Sequence, residues 1–364
     1  MRLKEITAFI EKLAPLMYQE SYDNSGLQVG DYNAEITGAL VTLDITPEVM
    51  DEAIEKGLNL VIGHHPLIFG GIKSITGKNM TERVIVKAIQ HNIAIYAAHT
   101  NMDVILEGVN GMICKRIGLQ KCRILDPVRG RLKKLVVFVP KDHAEKVREA
   151  LFDGGAGVIG GYDSCSYNLD GKGTFRGGED TNPFVGEKGL LHFEEEVRIE
   201  TIFPEHEKGR VITAMLNAHP YEEVAYDIYP LDNRYDQVGM GMIGELDTPV
   251  GEQEFLKWLK ETFNAGVVRH TRLTGKKVKR VAVCGGAGSS LLRKAIAEKA
   301  DVFVSGDFKY HQFFEAEDRI VIADIGHFES EQYTRNVFYD LLIKNFPKFA
   351  VQLSEVNTNP IKYL

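Results

Sequence analysis

Three short stretches concentrate side chains able to hold a metal ion: His64-His65-Pro66, His99-Thr100-Asn101-Met102-Asp103 and His327-Phe328-Glu329-Ser330-Glu331. Imidazole nitrogen together with carboxylate oxygen suits zinc first, with manganese, iron, cobalt or nickel as alternatives. The absence of thiolate argues against a structural zinc site. Taken singly, each stretch has an ordinary explanation, because loop hydrogen bonds satisfy a His-His pair and an Asn or Asp after a strand caps the next helix. Taken together, the second and third are versions of one pattern, H-x-x-x-(D/E), which sets a histidine and a carboxylate one helical turn apart on one face. We therefore expect His64, His65, Asp103, His327 and Glu331 to bind two divalent ions per subunit, with Glu331 bridging them and His99 as a sixth participant. Two ions held roughly 3.5 to 4 Å apart lower the pKa of a shared water and polarise a substrate oxygen, so hydrolysis is the reaction class that follows.

Two further features sit at comparable positions. In Cys284-Gly285-Gly286-Ala287-Gly288-Ser289-Ser290 the glycines Gly285, Gly286 and Gly288 would let backbone N–H groups face an anion such as phosphate. The pattern is neither a P-loop nor G-x-G-x-x-G, and a tight turn explains it equally well. Asp307, in SGDFKYH, either lines the same cleft with Tyr310 and His311 or caps a helix.

Positioning these residues requires strands that end beside one another. From residue 38, GALVTLDIT, PEVMDEAIEKG, LNLVIGHHP, TERVIVKAIQHN and IAIYAAHTNMD alternate apolar β-rich runs with helix-period segments. That is the pattern of β-α-β units on a parallel sheet. The order returns from residue 279 in KRVAVCGGAGSS, LLRKAIAEK, ADVFVSGDFKYH, QFFEAED and RIVIADIGHFESE. The expected fold is α/β, with two pseudo-repeated α/β/α halves, residues 1–127 and 232–364, forming one metal-binding core. His99 then matches His327, Asp103 matches Glu331, and Asp307 falls at the position of the His64-His65 pair. Residues 128–231 read β-α-β-β-α-β, a ferredoxin-like α+β domain inserted between the halves. Within it the Gly-, Asn- and Asp-rich stretch 170–189 reads as a mobile hairpin loop.

YDNSGLQVG (22–30), GHHP (63–66), HTNMD (99–103), VAVCGGAG (281–288), SGD (305–307) and GHFESE (326–331) together make the chain resemble the Nif-three-like family, whose members carry the name GTP cyclohydrolase 1 type 2 homologue. The resemblance spans both flanking regions in order. It implies two divalent metals on His64, His65, Asp103, His327 and Glu331, with His99 beside them, and a hexameric ring of identical subunits. The insert, with AHPYEEVAYDIYPL near its end, resembles the PII-like or CutA-like domain of longer bacterial members, a fold associated with trimeric packing and regulatory binding. The family name implies opening of the GTP imidazole ring by water. The leading expectation is thus a metal-dependent hydrolase acting on a nucleotide or purine-like small molecule. A regulatory or metal-handling ring with little catalysis is the alternative, and a nucleic-acid-binding ring a weaker one.

Composition bounds the remaining classes. At 364 residues, 44% hydrophobic and 26% charged, the chain has a globular make-up and enough length for more than one core. The opening segment spaces Ile6, Phe9, Ile10 and Leu13 at helical intervals and reads as an amphipathic helix rather than a signal peptide. No run approaches the roughly 18 apolar residues of a membrane span. Cys114, Cys122, Cys165 and Cys284 are scattered, so we expect reduced thiols in a cytoplasmic protein without a membrane partner. The net charge of -8 disfavours nucleic acid, leaving Arg269, Arg272, Lys276, Lys277, Lys279 and Arg280 as the only basic patch. A solvated loop before a strand accounts for that patch as ordinary charge patterning.

Overall fold

The computed structural model describes residues 1–364, a mixed α/β chain with three sheets. Its strands in chain order are β1 (Gly26–Val29), β2 (Gly38–Thr42), β3 (Leu60–Gly63), β4 (Ala94–Ala97), β5 (Gln120–Arg129), β6 (Leu132–Pro140), β7 (Tyr167–Phe175) and β8 (His192–Pro204). They continue with β9 (Tyr226–Leu231), β10 (Arg234–Gly251), β11 (Arg269–His270), β12 (Lys277–Val283), β13 (Val302–Ser305), β14 (Val321–Asp324) and β15 (Ala350–Leu353). Two compact units result, one of Met1–Pro127 with Asp236–Leu364 and the other of Val128–Tyr235.

The larger unit holds two sheets. In the first, ordered β1-β4-β3-β2-β15, strands β2, β3 and β4 are parallel and β1 lies antiparallel on β4. Every residue of β2, β3 and β4 is buried, which is why they read as unbroken apolar runs: a parallel sheet is covered on both faces. Helix Pro47–Glu55 begins at Thr46, whose side chain accepts from the Val49 N–H, and helix Met80–Gln90 begins at Asn79, which accepts from the Glu82 N–H. They bury Val49, Met50, Ala53, Val84, Ile85 and Ala88 against Leu40, Val61 and Ile95. Truncating a fully buried residue such as Ile95 to alanine costs about 2–5 kcal/mol in such a core.

The second sheet, β11-β14-β13-β12-β10-β5, repeats the order of senses over four strands: β12, β13 and β14 are parallel and β11 lies antiparallel on β14, whereas the fifth strand, β10, is antiparallel to β12. The two sheets also exchange strands. β15, from the end of the chain, pairs with β2 in the first sheet, and β5, which precedes the smaller unit, closes the edge of the second. Neither half of the chain completes its own sheet.

The smaller unit is a four-stranded antiparallel sheet, β7-β8-β6-β9, in the chain order β-α-β-β-α-β. Helices Ala144–Asp153 and Lys208–Ala218 cover one face, packing Val147, Leu151, Val211 and Met215 on Val137, Val139, Val197 and Ile199. Residues 170–175 are not a loop. They belong to β7, which pairs along its whole length with His192–Glu200, so only the stretch from 176 onward is irregular.

No helix is long and apolar enough to cross a membrane. Four of the six cations in the basic stretch are engaged locally. Arg269 meets Asp324, Arg272 meets Asp318 at 3.2 Å, Lys279 donates to the carbonyls of Leu246 and Asp247, and Arg280 meets Glu245 at 2.9 Å.

Candidate metal centre

Register brings the strand ends level. Thr42 pairs with Gly63 and Gly63 with Ala97, so β2, β3 and β4 release their chains at one edge, as open α/β sheets do around ligands. Past β3, the single carbonyl of Leu43 accepts from both the His64 and the His65 N–H, each at 3.0 Å. That turn breaks the strand's alternation and brings the adjacent rings to one side, with centroids 4.9 Å apart. Past β4, His99 precedes the one-turn helix Thr100–Asp103; past β14, Gly326 leads into His327–Glu331.

All six residues expected at the centre meet there. Glu331 Oε2 lies 3.0 Å from His65 Nε2, 3.1 Å from His327 Nε2 and 3.9 Å from His64 Nε2. His64 Nε2 is 3.6 Å from Asp103 Oδ1, and the His99 ring centroid is 5.3 Å from that of His64. Three overlapping groups have the separations of a metal-ligand set: His65, His327 and Glu331; His64, Asp103 and Glu331; His64, His65 and His99, each with ligand atoms within 4.8 Å of one another. The fit to a cation rests on two atoms above all. His64 Nε2 and Asp103 Oδ1 are buried with no hydrogen-bond partner, a costly state for polar atoms that a positive ion between them removes.

Each imidazole is held from behind. His64 Nδ1 donates to the Ala98 carbonyl at 2.9 Å, His65 Nδ1 to Asp44 at 2.7 Å, His99 Nδ1 to Asp23 at 2.8 Å and His327 Nδ1 to Asp307 at 2.7 Å. These partners can only accept, so Nδ1 keeps its proton and Nε2 is the atom each ring would offer to a metal, the arrangement usual for metal-ligating histidines. Asp23 also accepts from the Thr100 N–H and hydroxyl, and Asp44 from the Thr358 hydroxyl at 2.6 Å. Sequence reasoning missed Asp23 and Asp44. Their only sequence signal is a place just beyond, or just before, an apolar run.

Without a metal the site redistributes protons. Burial alone depresses the His65 imidazolium, but its contacts with Asp44 and Glu331 outweigh burial and push it up to about 10. His327 shows the same contest and rises to about 9 through Glu331 and Asp307. Burial and then the charge of Glu331 raise Asp103 to about 8, whereas the His327, His64 and His65 rings overcome burial and hold Glu331 well below the ordinary carboxylate range. Two carboxylates in one poorly hydrated space divide the work, one charged and one protonated.

Contacts narrow two readings that the residues left open. The Gly285 N–H donates to Asn110 Oδ1 at 3.0 Å, the Gly286 N–H to Ser330 Oγ at 2.9 Å and the Gly288 N–H to Ser305 Oγ at 2.9 Å, so this turn spends its N–H groups on protein side chains rather than on phosphate. Its glycines make room instead. A Cβ on Gly286, whose φ is +61°, would stand 2.4 Å from Glu331 Oε1. Asp307, at φ +55°, is neither a helix cap nor a free cleft residue, because its carboxylate accepts a hydrogen bond from the His327 Nδ1–H. Beside the centre, the Phe69 ring stands 6.2 Å from that of His99 and 6.3 Å from that of the exposed Tyr22, an aromatic pair with no marking pattern in the sequence.

A family model for Duf34/NIF3 (NGG1p interacting factor 3) matches residues 1–360. Relatives from Halalkalibacterium halodurans and Bacillus subtilis, each named GTP cyclohydrolase 1 type 2 homolog, are 40% and 39% identical, and each alignment covers 99% of this chain and 98% of the relative. The crystal structure of a Bacillus cereus protein related to NIF3 is 39% identical over 100% of this chain and 99% of that one, with a TM-score of 0.88. A Staphylococcus aureus crystal structure, 31% identical over 100% of this chain and 99% of that one, superposes with a TM-score of 0.79. Matched from end to end by the family model and by relatives of this similarity, the chain belongs to the Duf34/NIF3 family.

Proposed function

We propose that this chain is a metal-dependent hydrolase with a dinuclear centre, acting on a nucleotide or purine-like small molecule. The observation that carries this reading is that Glu331 belongs to two ligand groups at once, with His65 and His327 on one side and His64 and Asp103 on the other. His65, His327 and Glu331 would hold one ion and His64, Asp103 and Glu331 the other, and a site with only three protein ligands would leave room for water or substrate, the feature that separates catalytic from structural sites. When bound, the ions would supply Lewis-acid polarisation of a substrate oxygen and an acidified water. The chain's own residues do the rest: Asp44, Asp23 and Asp307 fix the imidazoles, and Tyr22 and Phe69 offer an aromatic wall for a flat substrate. The purine reading borrows from the relatives' name, GTP cyclohydrolase 1 type 2 homolog. The test is turnover of GTP and a panel of nucleotides and phosphoesters by metal-loaded protein and its His65→Ala variant; equal rates in both would sink the proposal.

The same reading takes the two halves as diverged copies of one α/β unit, supported by their shared order of strand senses, and residues 128–231 as a PII-like or CutA-like domain, supported by the β-α-β-β-α-β order. We place the protein in the cytoplasm as a hexameric ring, a reading in keeping with four free thiols and with the family resemblance. A regulatory ring with little catalysis is the competing reading, favoured by the separate core of residues 128–235. Ligand-dependent changes in the ring without turnover would support it.

A further inference from the structure

The smaller unit contains a cavity of about 750 Å³ that the metal centre does not use. That volume falls inside the range of roughly 300 to 1,000 Å³ typical of small-molecule sites. Its floor is the sheet face opposite the helices. On β8, Val197 and Ile199 point into the core, so Glu196 and Arg198 occupy the other face. Across the ladder, Leu169 pairs with Arg198, Gly171 with Glu196 and Phe175 with His192. Gly171 and Gly173 therefore put no side chain between Leu169 and Phe175: the Glu196 carboxylate lies over Gly173, and the space over Gly171 is open. A Cβ on Gly173 would come within 2.1 Å of Glu196 Oε2, whereas one on Gly171 meets nothing closer than 3.9 Å.

The walls are aromatic. Tyr221 lies 5.9 Å from Phe175 and 6.3 Å from Phe184 between ring centroids. Phe184 arrives on the loop after β7, which is tied down where the Asn182 N–H donates to Glu222 at 2.8 Å. At the floor Glu196 is only 9% exposed, and its Oε1 accepts from the Tyr221 hydroxyl at 3.0 Å. One bond leaves most of a carboxylate's acceptor capacity unused. Arg198, Lys172 and Arg176 border the same space, and Arg198 already engages Glu200 at 2.9 Å. Charges of both signs therefore border the cavity, and Glu196 is the buried one among them.

We propose that this cavity binds a small molecule whose flat head group carries paired N–H donors, an amidine, guanidine or amino-substituted nitrogen heterocycle, stacked among Phe175, Phe184 and Tyr221 and hydrogen-bonded to Glu196. The proposal is independent of the metal centre. Benzamidine and its neutral counterpart benzamide, titrated calorimetrically into the full-length protein and followed by ligand-observed NMR, test it. Benzamidine binds about ten-fold or more tightly than benzamide, the range of a hydrogen bond to a charged group. Glu196→Gln, which keeps an oxygen for Tyr221, brings the two probes together, and Gly171→Phe fills the open gap and abolishes binding of both, with metal content unchanged in each variant. Equal binding of the two probes, no binding of benzamidine at millimolar concentration, or binding that survives Gly171→Phe overturns the proposal. So does a Gly171→Phe protein that loses oligomeric mass by light scattering while its parent takes up neither probe, because the face would then belong to a second copy of the chain.

Discussion

Loading the centre with metal should expel protons, and the structure says how many. At pH 7 the metal-free site holds a proton on His65, raised to about 10, on His327, raised to about 9, and on Asp103, raised to about 8. A cation needs the unprotonated form of all three, so filling both positions releases about three protons per subunit. The sign follows from the direction of the shifts. Each group lies above pH 7 without metal and far below it with metal, so affinity rises with pH. Each proton contributes about 1.4 kcal/mol per pH unit, and the combined binding free energy of the two ions steepens to about 4 kcal/mol per unit near pH 7. The slope falls toward about two protons as the pH passes 8, where Asp103 has already ionised, and vanishes above about 10. Calorimetric titration of zinc into metal-free protein, repeated in buffers of different ionisation enthalpy at pH 7, reads the proton count from the dependence on buffer. His65→Asn should lower it by about one. Release of less than one proton, or affinity unchanged between pH 6 and 8, would refute the reasoning.

The remaining predictions concern what holds the ligands. Asp44→Asn replaces the acceptor of His65 Nδ1 and should weaken metal binding by about 10- to 100-fold with little change in the circular dichroism spectrum, measured by competition with a chromophoric chelator. Gly286→Ala places a methyl group 2.4 Å from Glu331 Oε1 at a φ of +61°, and should cost metal content by elemental analysis and about 1 kcal/mol or more of stability by urea unfolding. Stripping the metal by chelation should lower the melting temperature. An ion present at 100 times its Kd stabilises by about 2.7 kcal/mol, and a chelator without effect would mean that no ion is bound in the folded state.

What the sequence disclosed, and what it concealed, follows from locality. His64, His65, Asp103, His327 and Glu331 were legible because each follows an apolar run that can only be a buried strand, and strand ends of a parallel sheet lie together. Asp44 and Asp23 were not, since they reach His65 and His99 across 21 and 76 residues of chain with no pattern to announce it. The Gly285–Gly288 turn stayed open between an anion site and a tight turn because free N–H groups look the same in sequence whether phosphate or the side chains of Asn110, Ser330 and Ser305 will meet them. Residues 170–175 misled because glycine and aspartate have low strand propensity, and continuous pairing with β8 overrides it. The exchange of β5 and β15 left no trace in periodicity, which reports that a segment is a strand and not which sheet it joins.

That exchange and the position of the insert bear on how such a chain could be assembled over evolutionary time. The strands on either side of residues 130–233, β5 and β10, are immediate neighbours in one sheet. Topologically, everything between them occupies the tip of a single strand-to-strand connection. A segment at such a tip can be gained, lost or exchanged without rerouting any other strand, and each doubling of a flexible connection's length costs only about 0.6 kcal/mol in closure entropy. The sheet carrying His327 and Glu331 would keep its order with a short turn in place of the insert. A long form with this segment and a short form without it would therefore be editions of one core, separated by a splice rather than by a refolding.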